Sequence, residues 1–470
     1  MSYLKFLNET EIESIHQATL RILDEIGVVL KHKATQDLLA SAGARVDGER
    51  VRFPPELVEK CIASAGKTVS IRGRNGTVKT LGDGNLYFHN LGGARDIYNA
   101  ADGTKRYASV EDVQNATRLL DALEHCNTIT PFFTPRDVPG ELMSLMMYRH
   151  ALPHTTKPVQ GPGVQYPGEV KYALRMAEVI GPPSEVLTLA VSPVSPLTIP
   201  AHEAEAIVEI AKAGVAFGPL PCPTAGATAP MSMAGALAQQ NAEVLAPIIL
   251  AQVVRPGLPV IYCGRLAMME ARTGISVWGG VELALVSAAT VQLGHRYGLP
   301  VNVYGFSTNS HSLDLQDGFE RGINATLPAL AGADELSGIG EMEAGVSGSF
   351  AQMVADNEFA ASVHRVRSRF EVSDEALAVE VIAKVMDGSH NFLGQKHTMK
   401  YLRAGEVLMT RLTNRDTWEQ WEAGGRQGLA KRAQAEAERI LREHRVEPLE
   451  EAQLRELDTI MAAAERELVH

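Results

Sequence analysis

From residue 86 the sequence alternates short apolar runs with longer stretches of helical periodicity, the pattern of βα units on a parallel sheet. The runs fall at 86–92, 127–133, 157–163, 185–193, 214–221, 258–264, 299–306 and 334–340. The spacing predicts helices near 109–124, 140–150, 168–179, 201–213, 232–253, 280–297, 315–330 and 348–368. Eight strands with eight helices are what a (β/α)8 TIM barrel of about 250 residues needs. An open doubly wound sheet is the alternative, but no GxGxxG stands between the first strand and its helix. The chain therefore reads as α/β: a (β/α)8 TIM barrel over 86–370, preceded by an extension at 1–85 and followed by C-terminal helices over 371–470.

The extension begins with a helix through Ile12, Ile15, Leu20 and Leu23, capped by Asn8 or Thr10 and ended by Gly27. A second helix carries Leu38 and Leu39, and Pro54-Pro55 opens a third. Residues 66–82 read as short strands with glycine turns. Beyond 370 the sequence is helical and charge-rich and is expected to pack on the barrel.

Of the 470 residues, 45% are apolar and 21% charged, the mix of a globular protein with a large core. The net charge of −12 repels a phosphate backbone and argues against nucleic acid. Cys61, Cys126, Cys222 and Cys263 form no CxxC pair, so no zinc ribbon or iron–sulfur motif is readable, and scattered thiols suit a reducing compartment. The N-terminus has no signal-peptide core, and no run of 18 apolar residues predicts a membrane helix. These features predict a cytoplasmic protein.

A barrel carries its site at the strand C-termini. That rule selects Phe88 and His89 at the first strand, Gln160 at the third, Phe217 and Cys222 at the fifth, and Arg265 at the sixth. Tyr304, Phe306 and His311 follow the seventh strand, and Phe350 follows the eighth; His202 lies beyond the fourth. Aromatic faces attract a desolvated cation, so recurring rings at these ends suit a quaternary ammonium, although rings also simply pack a barrel mouth. The long segment GRLAMMEARTGISVWGG holds Arg265 and Arg272, whose planar forks suit a carboxylate; an internal salt bridge is the plainer role. Glu341 and Glu343 lie two apart on a loop, a weak signal for acid–base work. No GxSxG, HExxH or phosphate-loop motif is present, and the histidines are dispersed.

Four segments carry a family resemblance: LGGARDIYNAADGTKRYASVEDV at 91–113, with Tyr98 and with Asp96 on a short strand before an aspartate-capped helix; MMEARTGISVWGGVELALVSAATVQLGHRYGLPVNV at 268–303; GADELSGIGEMEAGVSGSFAQMVADNEF at 332–359; and FLGQKHTMKYLRAGEVLMTRLTNRDTWEQW at 392–421. Together they resemble the trimethylamine methyltransferase superfamily, in its branch without pyrrolysine. The resemblance implies an α/β barrel that demethylates an amine and passes the methyl to the cob(I)alamin of a separate corrinoid protein, with no cofactor or metal bound by the chain itself. The founding branch activates trimethylamine with pyrrolysine; here GADELSGIGEMEAGVSGSF holds only standard residues and no lysine. That departure turns the expectation toward amines already quaternary, such as glycine betaine, proline betaine or carnitine. The expected binding set is Phe88, His89, Tyr98, His202, Phe217, Arg265, Tyr304, Phe306, His311 and Phe350, with Arg265, Arg272, His202 or His311 anchoring a carboxylate and no residue assigned as catalytic. Expected partners are the amine, the corrinoid protein and further copies of the chain. A non-catalytic betaine-binding or sensory barrel is the rival reading. A lyase acting on an anionic substrate would need a phosphate or metal site that the sequence does not display.

Overall fold

The computed structural model describes residues 3–161 and 163–469, a mixed α/β molecule. Six of the eight apolar runs are regular strands: Tyr87–Asn90, Thr188–Val191, Ala216–Pro219, Tyr262–Gly264, Val301–Tyr304 and Glu335–Ile339. The runs at 127–133 and 157–163 are extended segments joined to their neighbours by single bridges. Their sequences explain this, since Pro131 and Pro158 bring no N–H to a ladder. Pro162 of the second of these runs lies outside the described residues.

All the pairings among these segments are parallel. Ala216–Pro219 pairs with Thr188–Val191, Tyr262–Gly264 with Val301–Tyr304, Val301–Tyr304 with Glu335–Ile339, and Glu335–Ile339 with Tyr87–Asn90. Single parallel bridges continue the series: His89 to Thr128, Ile129 to Val159, Gly163 to Ala190, and Phe217 to Val260. Between the segments run the helices Val110–Ala122, Met143–Ala151, Pro167–Glu178, Ala201–Ala213, Met233–Val254, Val281–Arg296 and Leu315–Ala331, with Phe350–Arg367 after the last strand. The strands are buried on both faces, as parallel strands covered by helices must be.

Met233–Val254 is apolar nearly all round and almost wholly buried, so it needs cover on its outer side. The N-terminal segment supplies it. Helix Glu9–Arg21 packs there, and Thr19 Oγ1 donates to Ala238 O at 3.1 Å while Asn241 Nδ2 donates to Thr19 Oγ1 at 2.9 Å. Asn8 caps that helix in a capping box with Glu11, and the chain then makes a π turn over Ile22–Ile26 before Gly27, whose φ is 75°. The third helix, Pro55–Ser64, packs on the same buried helix. Three short strands not foreseen in the sequence, Val28–Leu30, Arg45–Asp47 and Arg50–Arg52, tie this segment together. They are three residues each, too short to leave a periodic signal. The cap of Val110–Ala122 is Ser109 rather than an aspartate, with Asp112 completing its capping box.

At the C-terminal end, helix Leu429–Glu443 packs on Phe350–Arg367 and Val110–Ala122, while Glu451–Leu468 packs on Pro167–Glu178. No helix of the described residues is long and apolar enough to cross a membrane.

Candidate active site

A cavity of about 380 Å³ opens at the C-terminal ends of the parallel strands, within the usual range of about 300–1,000 Å³ for a small-molecule site. Strand alternation decides which side chains reach it. On Tyr87–Asn90, His89 faces the cavity, while Phe88 packs away against Phe306 at 5.6 Å and His364 at 4.9 Å. On Val301–Tyr304, the inward residues are Asn302 and Tyr304; on Glu335–Ile339, Ser337. Cys263 and Arg265 share one parity on the chain through Tyr262–Gly264. Tyr262 turns the other way and donates to Asn241 Oδ1 at 2.7 Å. Met143 and Met147 line the wall, with Leu189, Leu220 and Cys222. The Cys222 thiol is exposed to the cavity yet enclosed by protein, which pushes it up to about 11.

The floor is a chain of charge and amide. Glu335 is fully buried beneath it, and its carboxylate accepts from Thr128 Oγ1 at 2.9 Å, Gln160 Nε2 at 2.8 Å and Asn302 Nδ2 at 2.5 Å. Arg265 is buried across from it. Its guanidinium donates to the Gly264 and Asn302 carbonyls at 3.0 and 2.9 Å, to Ser337 Oγ at 3.0 Å, and to Asn302 Oδ1. Arginine only donates, so Oδ1 of Asn302 must face Arg265 and its Nδ2 must face Glu335 and His89. His89 Nε2, 2.9 Å from that Nδ2, then accepts, which leaves the ring proton on Nδ1. Burial pushes the His89 imidazole below its ordinary range, against the pull of Glu335 and with help from Arg265. The floor thus has a negative end at Glu335, a positive end at Arg265 and an oriented amide dipole between them. Tyr304 lies over the positive end, with the Arg265 guanidinium carbon 4.4 Å from its ring centre and Trp278 at 5.3 Å edge-on.

Of the ten residues expected from sequence, three line this cavity: His89, Arg265 and Tyr304. The expected aromatic box is not assembled there, since Tyr304 is the one Phe, Tyr or Trp among the described lining residues. Phe88, Phe217 and Phe306 are fully buried in the main core, on the side of the strands away from the cavity for Phe88 and Phe306. Phe350 packs on Phe133 at 6.2 Å. Tyr98 is half-buried on the strand Asp96–Tyr98, which pairs with Lys105–Tyr107. His202 stacks on Tyr166 at 4.6 Å. His311 is exposed, 3.5 Å from Glu343. Arg272 is exposed and bound to Glu270, so of the four proposed carboxylate anchors only Arg265 touches the cavity. The long segment after Gly264 folds into an antiparallel pair, Ala267–Met269 with Ser276–Val277.

Asn302 and Glu335 were missed from sequence, as was Gln160 as a binding group. The signal was present: polar residues inside LPVNVYGF and DELSGIG interrupt runs that should be apolar if both faces are buried. Among the described residues no group of three or more His, Cys, Asp or Glu is disposed to hold a metal.

A family model described as trimethylamine methyltransferase matches residues 1–469. The chain belongs to the trimethylamine methyltransferase family. A trimethylamine methyltransferase of Desulfitobacterium hafniense is 31% identical over 98% of this chain and 94% of its own length. A glycine betaine methyltransferase of the same species is 29% identical over 88% of each chain. Among solved structures, the monomethylamine methyltransferase of Methanosarcina barkeri shares the fold, with a TM-score of 0.56 at 12% identity over 94% of this chain and 89% of its own. The family is one of methyltransferases, and this chain is one of its members; the expectation drawn from the four segments is met at that level.

Proposed function

We propose that this protein takes a methyl group from a small quaternary amine, a betaine, and passes it to the cob(I)alamin of a separate corrinoid protein. Its framework is a closed (β/α)8 barrel over 86–370, with 1–85 and 371–470 packed outside it. The run of parallel pairings that leads from Tyr87–Asn90 through the other segments and back to Tyr87–Asn90 supports that closure.

The observation that carries the substrate class is the dipolar floor. A betaine has a cation at one end and a carboxylate at the other, and Glu335–Asn302–Arg265 presents the opposite order of charge. Charges in a water-poor site act through a lower dielectric than in bulk water, so both ends are felt although neither floor group has to touch the ligand. The His89 ring, 3.8 Å from Glu335, and the sulfurs of Met143 and Met147 give the methyl groups soft walls, while Tyr304 lies with Arg265 at the carboxylate end. His89, Gln160, Arg265, Asn302, Tyr304 and Glu335 are the binding set.

No acid or base is required for this chemistry. The electron pair of the breaking N–CH3 bond stays on nitrogen, which leaves as a neutral tertiary amine. The corrinoid supplies the nucleophile, and this chain's residues hold the substrate so that one methyl faces the cavity mouth. Positioning of that kind accounts for a large part of the rate in such displacements. The sequence through the last strand contains only standard residues and no lysine, which suits a substrate that needs no added activation.

The test is turnover of glycine betaine, proline betaine and carnitine with corrinoid protein and reductant present, read as the demethylated amine by mass spectrometry. Demethylation of one of them and not of trimethylamine is expected. Turnover of trimethylamine alone would overturn the reading, as would betaine binding without turnover under the same conditions.

A further inference from the structure

A polar network is buried under the N-terminal helix Glu9–Arg21, at the end of the strands remote from the cavity. It joins His16 and Thr19 of that helix to Asn241 of Met233–Val254, to Tyr262, and to Tyr297 just after Val281–Arg296, and all of these are buried. Tyr297 precedes the strand Val301–Tyr304, whereas the cavity opens at the far end of that strand. The proposed methyl transfer uses none of these groups.

The hydrogens of the network are fixed by elimination. Thr19 Oγ1 lies 2.9 Å from Ile15 O and 3.1 Å from Ala238 O. Carbonyls only accept, so the hydroxyl hydrogen goes to one of them. Toward Asn241 the same oxygen then accepts, which puts Asn241 Nδ2 on the Thr19 side at 2.9 Å. That Nδ2 donates its other hydrogen to the Tyr297 hydroxyl at 2.7 Å, and Asn241 Oδ1 is left to accept from Tyr262 at 2.7 Å. The Tyr297 hydroxyl, having accepted from Asn241, gives its own hydrogen to His16 Nδ1 at 3.0 Å. His16 Nδ1 is thus an acceptor. The ring proton sits on Nε2, which donates to Glu59 Oε1 at 2.8 Å.

A second ring proton has no place here. It would sit on Nδ1 and face the Tyr297 hydrogen, and that hydroxyl has no other acceptor to turn to among the described residues. The charges around the ring are Glu13 on its own helix, Glu59 on Pro55–Ser64 and Arg296 at the end of Val281–Arg296; Met233–Val254 contributes the neutral Asn241 through Tyr297. Burial pushes the imidazole below its ordinary range, Arg296 adds to that, and the two carboxylates oppose it. Their pull is blunted, because Glu13 is engaged by Arg296 at 2.7 Å and Glu59 is half exposed. The helix that carries His16 is the outer cover of the apolar helix Met233–Val254. Detached from it, the ring meets water and takes up a proton near its ordinary value of about 6.5.

We infer that His16 is a proton-sensitive latch: the uncharged ring holds the N-terminal helix on Met233–Val254, and acidification releases it. The docked ring has the lower affinity for protons, so the latch is at full strength above the ordinary imidazole range and weakens as pH falls through it. Between about pH 7.5 and about pH 5.5, a docked ring that stays uncharged and a detached one of ordinary affinity change the opening equilibrium by up to about tenfold. Hydrogen exchange of the full chain, read by mass spectrometry and corrected for the intrinsic pH dependence of exchange, measures that change. Opening over residues 9–21 should rise several-fold across this step, while Leu429–Glu443 stays as it was. His16→Asn keeps an acceptor for Tyr297 near the place of Nδ1 but carries no charge, and its exchange over 9–21 should not respond. A wild-type helix indifferent to the step, or an equal response in His16→Asn, would overturn the inference. A second reading holds even where the variant loosens the helix. In the wild type with 13Cε1-labelled histidine, the signal lost in His16→Asn should report an uncharged ring with its proton on Nε2 at about pH 6, below the ordinary value. A charged His16 at that pH contradicts the latch. Neither readout depends on the choice of substrate.

Discussion

Two buried charge clusters in this molecule use the same ingredients to different ends. Beneath the cavity, one carboxylate and one guanidinium, Glu335 and Arg265, are held apart by Asn302. Beyond the end of the same strand, a sealed cluster sets Arg321 against three acids. Arg321 pairs with Asp317 at 2.6 Å and Asp356 at 3.1 Å and also donates to the backbone O of Glu341, whose carboxyl accepts from Ser307 at 2.6 Å. In the sealed cluster burial pushes Glu341 and Asp356 both up to about 7, with Arg321 opposing. That cluster holds more acid than cation, which favours the protonated carboxyls, and it braces the loop after the strand: Asp356 accepts the Gly340 N–H at 2.7 Å. Gly340 has a φ of +85°, and a Cβ there would stand 2.7 Å from the Phe132 ring. The cavity cluster is balanced and reaches the cavity through Arg265 and Asn302, with Glu335 directly beneath, so its field falls on whatever binds. A sealed cluster serves the fold; an open one of equal and opposite charges is what the proposed zwitterionic substrate requires.

The largest expected effect belongs to the sealed cluster. Arg321→Gln leaves buried acids without their cation and should cost about 3–5 kcal/mol, read as a lower urea midpoint. A shift below about 1 kcal/mol would mean that the cluster does not brace the fold. Next comes the cavity. Glu335→Gln keeps the size of the side chain and removes the negative end; it should lower kcat/KM for a betaine by about 10–100-fold, equivalent to about 1.4–2.7 kcal/mol. Its urea midpoint should move far less than that of Arg321→Gln, and equal losses of stability would erase the distinction between the two clusters.

The clusters also differ in pH response. Glu341 and Asp356 have folded values raised above their unfolded ones, so the folded chain holds protons that the unfolded chain has released. Their contribution to stability is fully present below the ordinary carboxylate range and is lost as pH rises through about 7. Glu341→Gln should flatten that part of the pH–stability curve, measured by chemical denaturation between acid and neutral pH; an unchanged slope contradicts it. The smallest effects belong to the surface. Arg272→Ala and His311→Ala should leave KM within about twofold, because exposed ion pairs contribute little. A tenfold rise in KM for either would move the carboxylate anchor out of the cavity and onto the rim.

The helices were legible because a period near 3.6 is written in segments such as LQDGFERGINATLPALA, and the strands because short apolar runs such as LPVNVYGF recur between them. Regular pairing at 127–133 and 157–163 was not, since proline removes ladder donors without erasing the apolar run. In the site, His89, Arg265 and Tyr304 followed from their place at strand ends. Phe88 and Phe306 did not belong with them. The parity of the strand sends Phe88 to the opposite face, and the chain bends at Gly305, where Gly305 and Phe306 both donate to Ser337 O. Glu335 was the costliest omission: a charged residue inside a strand buried on both faces has to be held by partners that only the fold brings together, here Thr128, Gln160 and Asn302 from three other runs.

The most direct measurement is a calorimetric titration of the wild-type protein with glycine betaine and with choline, which carries the same trimethylammonium group without a carboxylate. A floor with both ends of charge in play predicts betaine binding at least tenfold tighter than choline, with the gap closing in Arg265→Met. Equal affinities for the two amines in the wild type would contradict the zwitterion site.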